Sequence, residues 1–142
     1  MINYMIKLSR KRIIGKIGEV GLTLLGVSIP REVKIGKGVN FVHNAPGTII
    51  HPDTIIKDNV KIYQGVTLGR ADIHRSFEES KMKGILIEEG AIICAGAKIL
   101  CKGGILKVGK NTIIGANSVL TQSTGDNEIW AGVPAKKIKD NI

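Results

Sequence analysis

Aromatic side chains are scarce: two phenylalanines, two tyrosines and one tryptophan make up 4% of 142 residues. So few rings leave little to stack on bases, and no recognisable recognition motif accompanies the basic charge, so nucleic acid is not an expected partner. Cysteine is nearly absent. Cys94 and Cys101 have neither zinc-knuckle nor redox spacing, which leaves reduced packing thiols in a cytoplasmic chain as the expectation. No apolar run is long enough to span a bilayer. Glu19 interrupts the first apolar stretch and no small-x-small cleavage site follows, which argues against a secretory leader.

What the chain does have is a period. Aliphatic residues or phenylalanine recur in steps of six: Ile29, Ile35 and Phe41, then Ile50, Ile56, Ile62 and Leu68, then Ile87, Ile93 and Ile99, and finally Val108, Ile114, Leu120 and Ile129. A small or β-branched residue follows four places later, as at Val33, Val39, Ala45, Thr54, Val60, Val66, Ala91, Ala97, Thr112, Ser118 and Val133. A helix buries a face every 3.6 residues and a strand every two, so two inward positions in six fit short strands joined by corners. Three such hexads, about 18 residues, close one triangular coil of a β-solenoid. The steps of nine after Phe41, Ile99 and Leu120 predict three-residue corner bulges that preserve phase. The long break after Leu68 predicts one extruded corner loop. One all-β domain over residues 28–142 is expected, with residues 1–27 as a separate N-terminal segment.

Charge is uneven. Of a net +9, residues up to Lys37 carry eight basic and two acidic groups. From Tyr4 to Gly26, Leu8, Ile13, Ile14, Ile17, Val20, Leu24 and Leu25 fall at helical spacing opposite cations, which reads as one basic amphipathic helix. Gly15, Gly18 and Gly21 oppose that reading by up to ~1 kcal/mol each. Such a helix either caps the first coil or a neighbouring subunit, or docks on an anionic membrane, here the inner face of the cell membrane.

Counting hexads onto three faces stacks Phe41, Ile62, Ile93 and Ile114 on one side. The residues two places on, His43, Gln64, Ala95 and Ala116, then form a line with roughly 4.8 Å between coils. The alanines leave a smooth channel with accessible backbone amides, and an imidazole stands at its lower end. A long thin cofactor can lie there with its reactive end beside His43.

The segments "VKIGKGVNFVHNAPGTIIHPDTIIKDNVKIYQGVTLG", "AIICAGAKIL", "IIGANSVL" and "WAGVPAKKI" resemble the serine acetyltransferase branch of the hexapeptide acyltransferases, from about Ser28 to the end. The resemblance implies a left-handed parallel β-helix, where ordinary crossover handedness alone favours the right-handed form. It also implies a homotrimer with acetyl-CoA sites between subunits and no metal. On this likeness His43, in "FVHNAPG", matches the general base, and Ala95 and Ala116 match positions whose backbone meets the coenzyme A arm. Lys136 and Lys137, after "AGVPA", stand where a basic residue can meet the coenzyme's phosphates, or else form a solvated C-terminal turn. A neutral histidine takes the proton of an acceptor hydroxyl as it attacks the thioester, then returns it to the leaving thiolate. Gln64 either donates to the oxyanion or acceptor, or is an exposed polar rib.

The departures bear on the acceptor. Serine acetyltransferases carry aspartate before the base, but here Val42 precedes His43, and a more distant aspartate aligns with Ser28. Their arginine-histidine pair has no counterpart before "ILIEEG", where Lys83 and Gly84 stand. The residues before Ser28 do not match the family's large helical domain. A related group with a short basic helix and the "HPDTIIKDNVKIYQGVTLG" run resembles O-acetyltransferases of surface-polysaccharide biosynthesis. A sugar hydroxyl, free or on a lipid-linked saccharide, is therefore the expected acceptor, with serine as the alternative. The loop from Gly69 to Gly84 carries Asp72, His74 and Arg75, and loops are where binding groups accumulate. His74 can orient His43 across a subunit boundary, contact a sugar, or simply be exposed. A non-catalytic scaffold and a zinc enzyme resembling γ-class carbonic anhydrase are further alternatives. The zinc enzyme is disfavoured because His43 and His51 count onto different faces.

Overall fold

The six-residue period becomes strands two to six residues long, too short to pair except with the coil above or below. A computed structural model describes residues 1–11 and 15–142. The first sheet stacks β1 (Lys34–Ile35), β4 (Thr54–Ile56), β7 (Met82–Ile87) and β10 (Gly104–Val108). The second stacks β2 (Asn40–Phe41), β5 (Lys61–Ile62), β8 (Ile92–Ile93), β11 (Ile113–Ile114), β13 (Glu128–Gly132) and β14 (Ala135–Asp140). The third stacks β3 (Ile49–Ile50), β6 (Thr67–Arg70), β9 (Lys98–Cys101) and β12 (Val119–Leu120). The chain visits the three sheets in rotation, so it winds as a three-sided coil with parallel pairing, except for the antiparallel β13–β14 hairpin.

The inward ladder is the predicted one through most of its length. Phe41 pairs with Ile62, Ile62 with Ile93 and Ile93 with Ile114, all buried. Each fully buried isoleucine or leucine contributes about 1.5–3 kcal/mol relative to exposure. The extruded loop returns in phase, since Ile56 pairs with Ile87 and Leu68 with Ile99 on either side of it.

The last predicted bulge is corrected. Trp130, not Ile129, continues the ladder above Ile114, and Val133 is 71% exposed in the hairpin turn. Between Leu120 and Trp130 the first side closes above β10 without a strand. Lys107 N–H donates to Ser123 Oγ (2.9 Å), Thr124 N–H donates to the Lys107 carbonyl (2.9 Å), and Gly109 N–H donates to Thr124 Oγ1 (2.9 Å). The large, buried indole covers this end, its N–H donating to Glu128 Oε2 (2.8 Å).

At the other end the single helix expected from Tyr4 to Gly26 is two: α1 (Ile2–Ser9) and α2 (Gly15–Leu24). Ile13 and Ile14 of the predicted stripe lie outside the described residues. Ile2, Ile6, Leu22 and Val27 are buried at the base of the coil, and Asn3 Nδ2 (3.3 Å to the Val39 carbonyl) and Arg10 (2.6 Å to the Val33 carbonyl) tie α1 to the first turn. The glycines explain the difference. A Cβ on Gly18 would stand 2.6 Å from Ser9 Cα, and one on Gly21 2.8 Å from Met5 Sδ, so α2 lays its glycine face on α1. Ile17, Val20 and Leu24 consequently face outward.

Candidate active site

The line through the corner between the second and third sheets can be followed by its hydrogen bonds. The Pro46 carbonyl accepts from Gly65 N–H, the Gln64 carbonyl from Gly96 N–H, and the Ala95 carbonyl from Asn117 N–H, each at 2.9 Å. The stacked residues are therefore Pro46, Gln64, Ala95 and Ala116. His43 is not directly beneath Gln64, a correction to the simple count. The three-residue insertion falls before the corner, between Phe41 and the buried Thr48, and it pushes His43 outward.

That insertion is a short turn, Val42–Asn44, in which His43, Asn44 and Ala45 take φ values of 53°, 59° and 42°. Left-handed backbone at a residue other than glycine costs on the order of 1–3 kcal/mol, and such strain clusters at functional sites. The exposed imidazole packs edge-on to Tyr63, with ring centroids 6.3 Å apart at 64°. Tyr63 adjoins Gln64, so His43 flanks the lower end of the line.

The line itself has free hydrogen-bonding capacity. The peptide N–H groups of Gln64, Ala95 and Ala116 reach no acceptor among the described residues. Gln64 Oε1 is buried and has no hydrogen-bond partner among the described residues. Buried polar groups are normally paired, and a row of donors with an orphaned acceptor fits a ligand that carries amides of its own, as the pantetheine arm of coenzyme A does. Lys98, which no motif in the sequence singles out, donates from Nζ to the Gly65 carbonyl (2.7 Å) beside this corner. Cys94 is half-buried near Ala95, and burial pushes its thiol up, which keeps it protonated and a poor nucleophile.

The two C-terminal lysines differ. Lys137 is bound by Glu128 (3.0 Å) and Asp140 (2.7 Å), and the hydrogen bonds to Asp140 and then Glu128 hold its pKa above the ordinary lysine value. Lys136, on the neighbouring position of β14 opposite Ala131, is exposed with no carboxylate partner among the described residues. The hairpin turn is anchored past Ala116 by Gly132 N–H donating to Ser118 Oγ (3.1 Å).

The loop residues lie on another edge, between the third and first sheets. Asp72, 6% exposed, occupies the inward place four after Leu68 and accepts from Ser80 Oγ (2.9 Å) and Lys81 N–H (3.1 Å), with Arg70 Nε at 3.7 Å. Burial pushes its carboxyl up, but the Ser80 hydroxyl, the Lys81 amide and the Arg70 charge outweigh this and hold it below the usual carboxylate range. Its oxygens are thus engaged in closing the loop. Phe77 stacks on His51 at 6.2 Å and 9°, while His74 is exposed. Within one chain the structure does not bring His74 or Asp72 to His43. Among the described residues no three His, Cys, Asp or Glu side chains cluster as a metal site, and no helix is long and apolar enough to cross a membrane. Gly84 has a structural reason to lack a side chain: its φ is 155° and a Cβ would stand 2.8 Å from the Asp53 carbonyl oxygen.

No protein-family model matches the chain. It is 35% identical over 125 residues to a serine acetyltransferase of Staphylococcus aureus, covering 88% of this chain and 54% of that protein. It is 39% identical over 115 residues to the enzyme of Haemophilus influenzae, covering 81% and 40%. The structure matches Brucella abortus serine acetyltransferase in complex with coenzyme A at TM-score 0.80 and 28% identity, over 98% of this chain and 55% of that one. The chain therefore spans about half the length of the curated relatives it matches.

Proposed function

We propose that this serine acetyltransferase-like hexapeptide-repeat chain is an acetyl-CoA-dependent O-acetyltransferase with His43 as general base. The observation that carries the reading is the run of amides at Gln64, Ala95 and Ala116, without acceptors among the described residues, ending beside an exposed imidazole. The amides and the Gln64 side chain align the pantetheine arm, and Lys136 serves its phosphates as a point charge. His43 takes the hydroxyl proton as the acceptor oxygen attacks the thioester carbonyl. An amide donor stabilises the oxyanion, the carbon–sulfur bond breaks, and the imidazolium returns the proton to the thiolate. Products are an acetyl ester and free coenzyme A. The left-handed winding, a homotrimer, and sites completed by a neighbouring subunit belong to the same reading and rest on likeness to the relatives.

For the acceptor, the relatives favour serine over the saccharide hydroxyl expected from the sequence. A saccharide remains the second reading, because Val42, Ser28 and Lys83–Gly84 lack the carboxylates and the arginine-histidine pair of the serine enzymes. Incubating the purified chain with acetyl-CoA and with serine, activated sugars or lipid-linked sugars, while following thiol release, tests both. Turnover with serine supports the first reading, and turnover with a sugar alone the second. Failure to bind acetyl-CoA by calorimetry points to a scaffold instead.

A further inference from the structure

We propose that the outer face of the α1–α2 hairpin docks on an anionic lipid surface. Ile17, Val20 and Leu24 are 63%, 58% and 82% exposed, and their spacing of three and four places them on one face of α2. Tyr4, on the outward side of α1, is 67% exposed. The opposite face of α2, with Gly15, Gly18 and Leu22, is the one spent on packing. The hairpin therefore presents an apolar stripe that folding does not use, and contiguous exposed apolar surface marks an interaction site.

The charges around the stripe choose the partner. Glu19, the one acidic residue of α1 and α2, is held by Arg31 at 2.6 Å. Lys7, Lys11 and Lys16 are exposed, with no carboxylate partner among the described residues. Every uncompensated charge on the described hairpin is positive. A second copy on this face would set cations against cations. An anionic headgroup layer complements both the stripe and the lysines, as in helices that lie in a membrane interface. The inference stands on different residues from the acetyl-transfer reading and holds whichever hydroxyl is acetylated.

The test is co-sedimentation of the full chain with vesicles of phosphatidylcholine alone or mixed with phosphatidylglycerol. Binding is expected to be at least about tenfold tighter to the mixed vesicles and to weaken with salt. Replacing Ile17, Val20 and Leu24 together by Ser should weaken it about tenfold or more, with circular dichroism, particle mass and acetyl-CoA binding unchanged. Replacing Lys7, Lys11 and Lys16 by Ser should remove the preference for phosphatidylglycerol. No binding to mixed vesicles at low salt, or full binding by the Ile17, Val20 and Leu24 variant, overturns the proposal. A fall in particle mass on making that variant also overturns it, because a second copy would then cover the face. Acetyl-CoA binding by calorimetry reports separately on the catalytic reading.

Discussion

At His43 the backbone and the side chain ask for different things. A φ of 53° is unfavourable for a residue with a Cβ, yet three consecutive residues adopt left-handed values there. The strained turn lifts the imidazole clear of the coil and leaves it facing solvent beside Tyr63. His43→Ala should therefore fold normally and keep coenzyme A affinity within about twofold, while kcat falls by about 10²–10⁴, as expected for loss of a general base. A thiol-release assay paired with calorimetry checks this, and near-normal turnover would remove His43 from the role. At the other end of the line, Ala116→Trp should raise the dissociation constant for coenzyme A by more than about tenfold, because the side chain fills the channel. Titration of that variant decides it, and unchanged affinity would place the coenzyme elsewhere.

At the scale of the element, two local devices carry the exceptions to the repeat. The extruded loop is latched by Asp72, whose carboxyl is held below its unfolded value of about 3.9. A depressed carboxyl contributes stability that is fully present above the unfolded pKa and is lost as pH falls through the folded one. The melting-temperature gap between the protein and Asp72→Asn should hence be constant above about pH 5 and shrink below about pH 4. A gap independent of pH would show that the ionised latch is unimportant. The helical hairpin depends on its glycines. Gly18→Val should destabilise by about 1–3 kcal/mol in chemical denaturation through overpacking against Ser9, whereas Val20→Ser should be nearly neutral. This pairing is not legible in the sequence, where the same glycines weigh against helix propensity. Their value lies in close approach between helices, which no one-dimensional pattern reports.

For the whole molecule, stacked coils leave open ends and flat sides, and the ends are covered by α1–α2 and by the Trp130 hairpin. Three flat sides remain for neighbours, and sedimentation should give three times the chain mass of 15.3 kDa. A monomer that retains full turnover would show that no neighbour completes the site. The period of six alone determined the three-sided coil, its inward ladder and the extruded loop after Leu68, because each buried hexad must repeat whatever the rest of the chain does. The same period placed Ala95 and Ala116 on one line with Gln64. Only the tertiary structure decided that Pro46 occupies the foot of that line and His43 its flank, that Trp130 displaces Ile129 at the top, that Lys137 is held by two carboxylates while Lys136 meets none among the described residues, and that the apolar stripe of α2 faces outward. These outcomes depend on where an insertion bulges and which neighbour a side chain meets, and both are set by packing in three dimensions rather than by spacing along the chain.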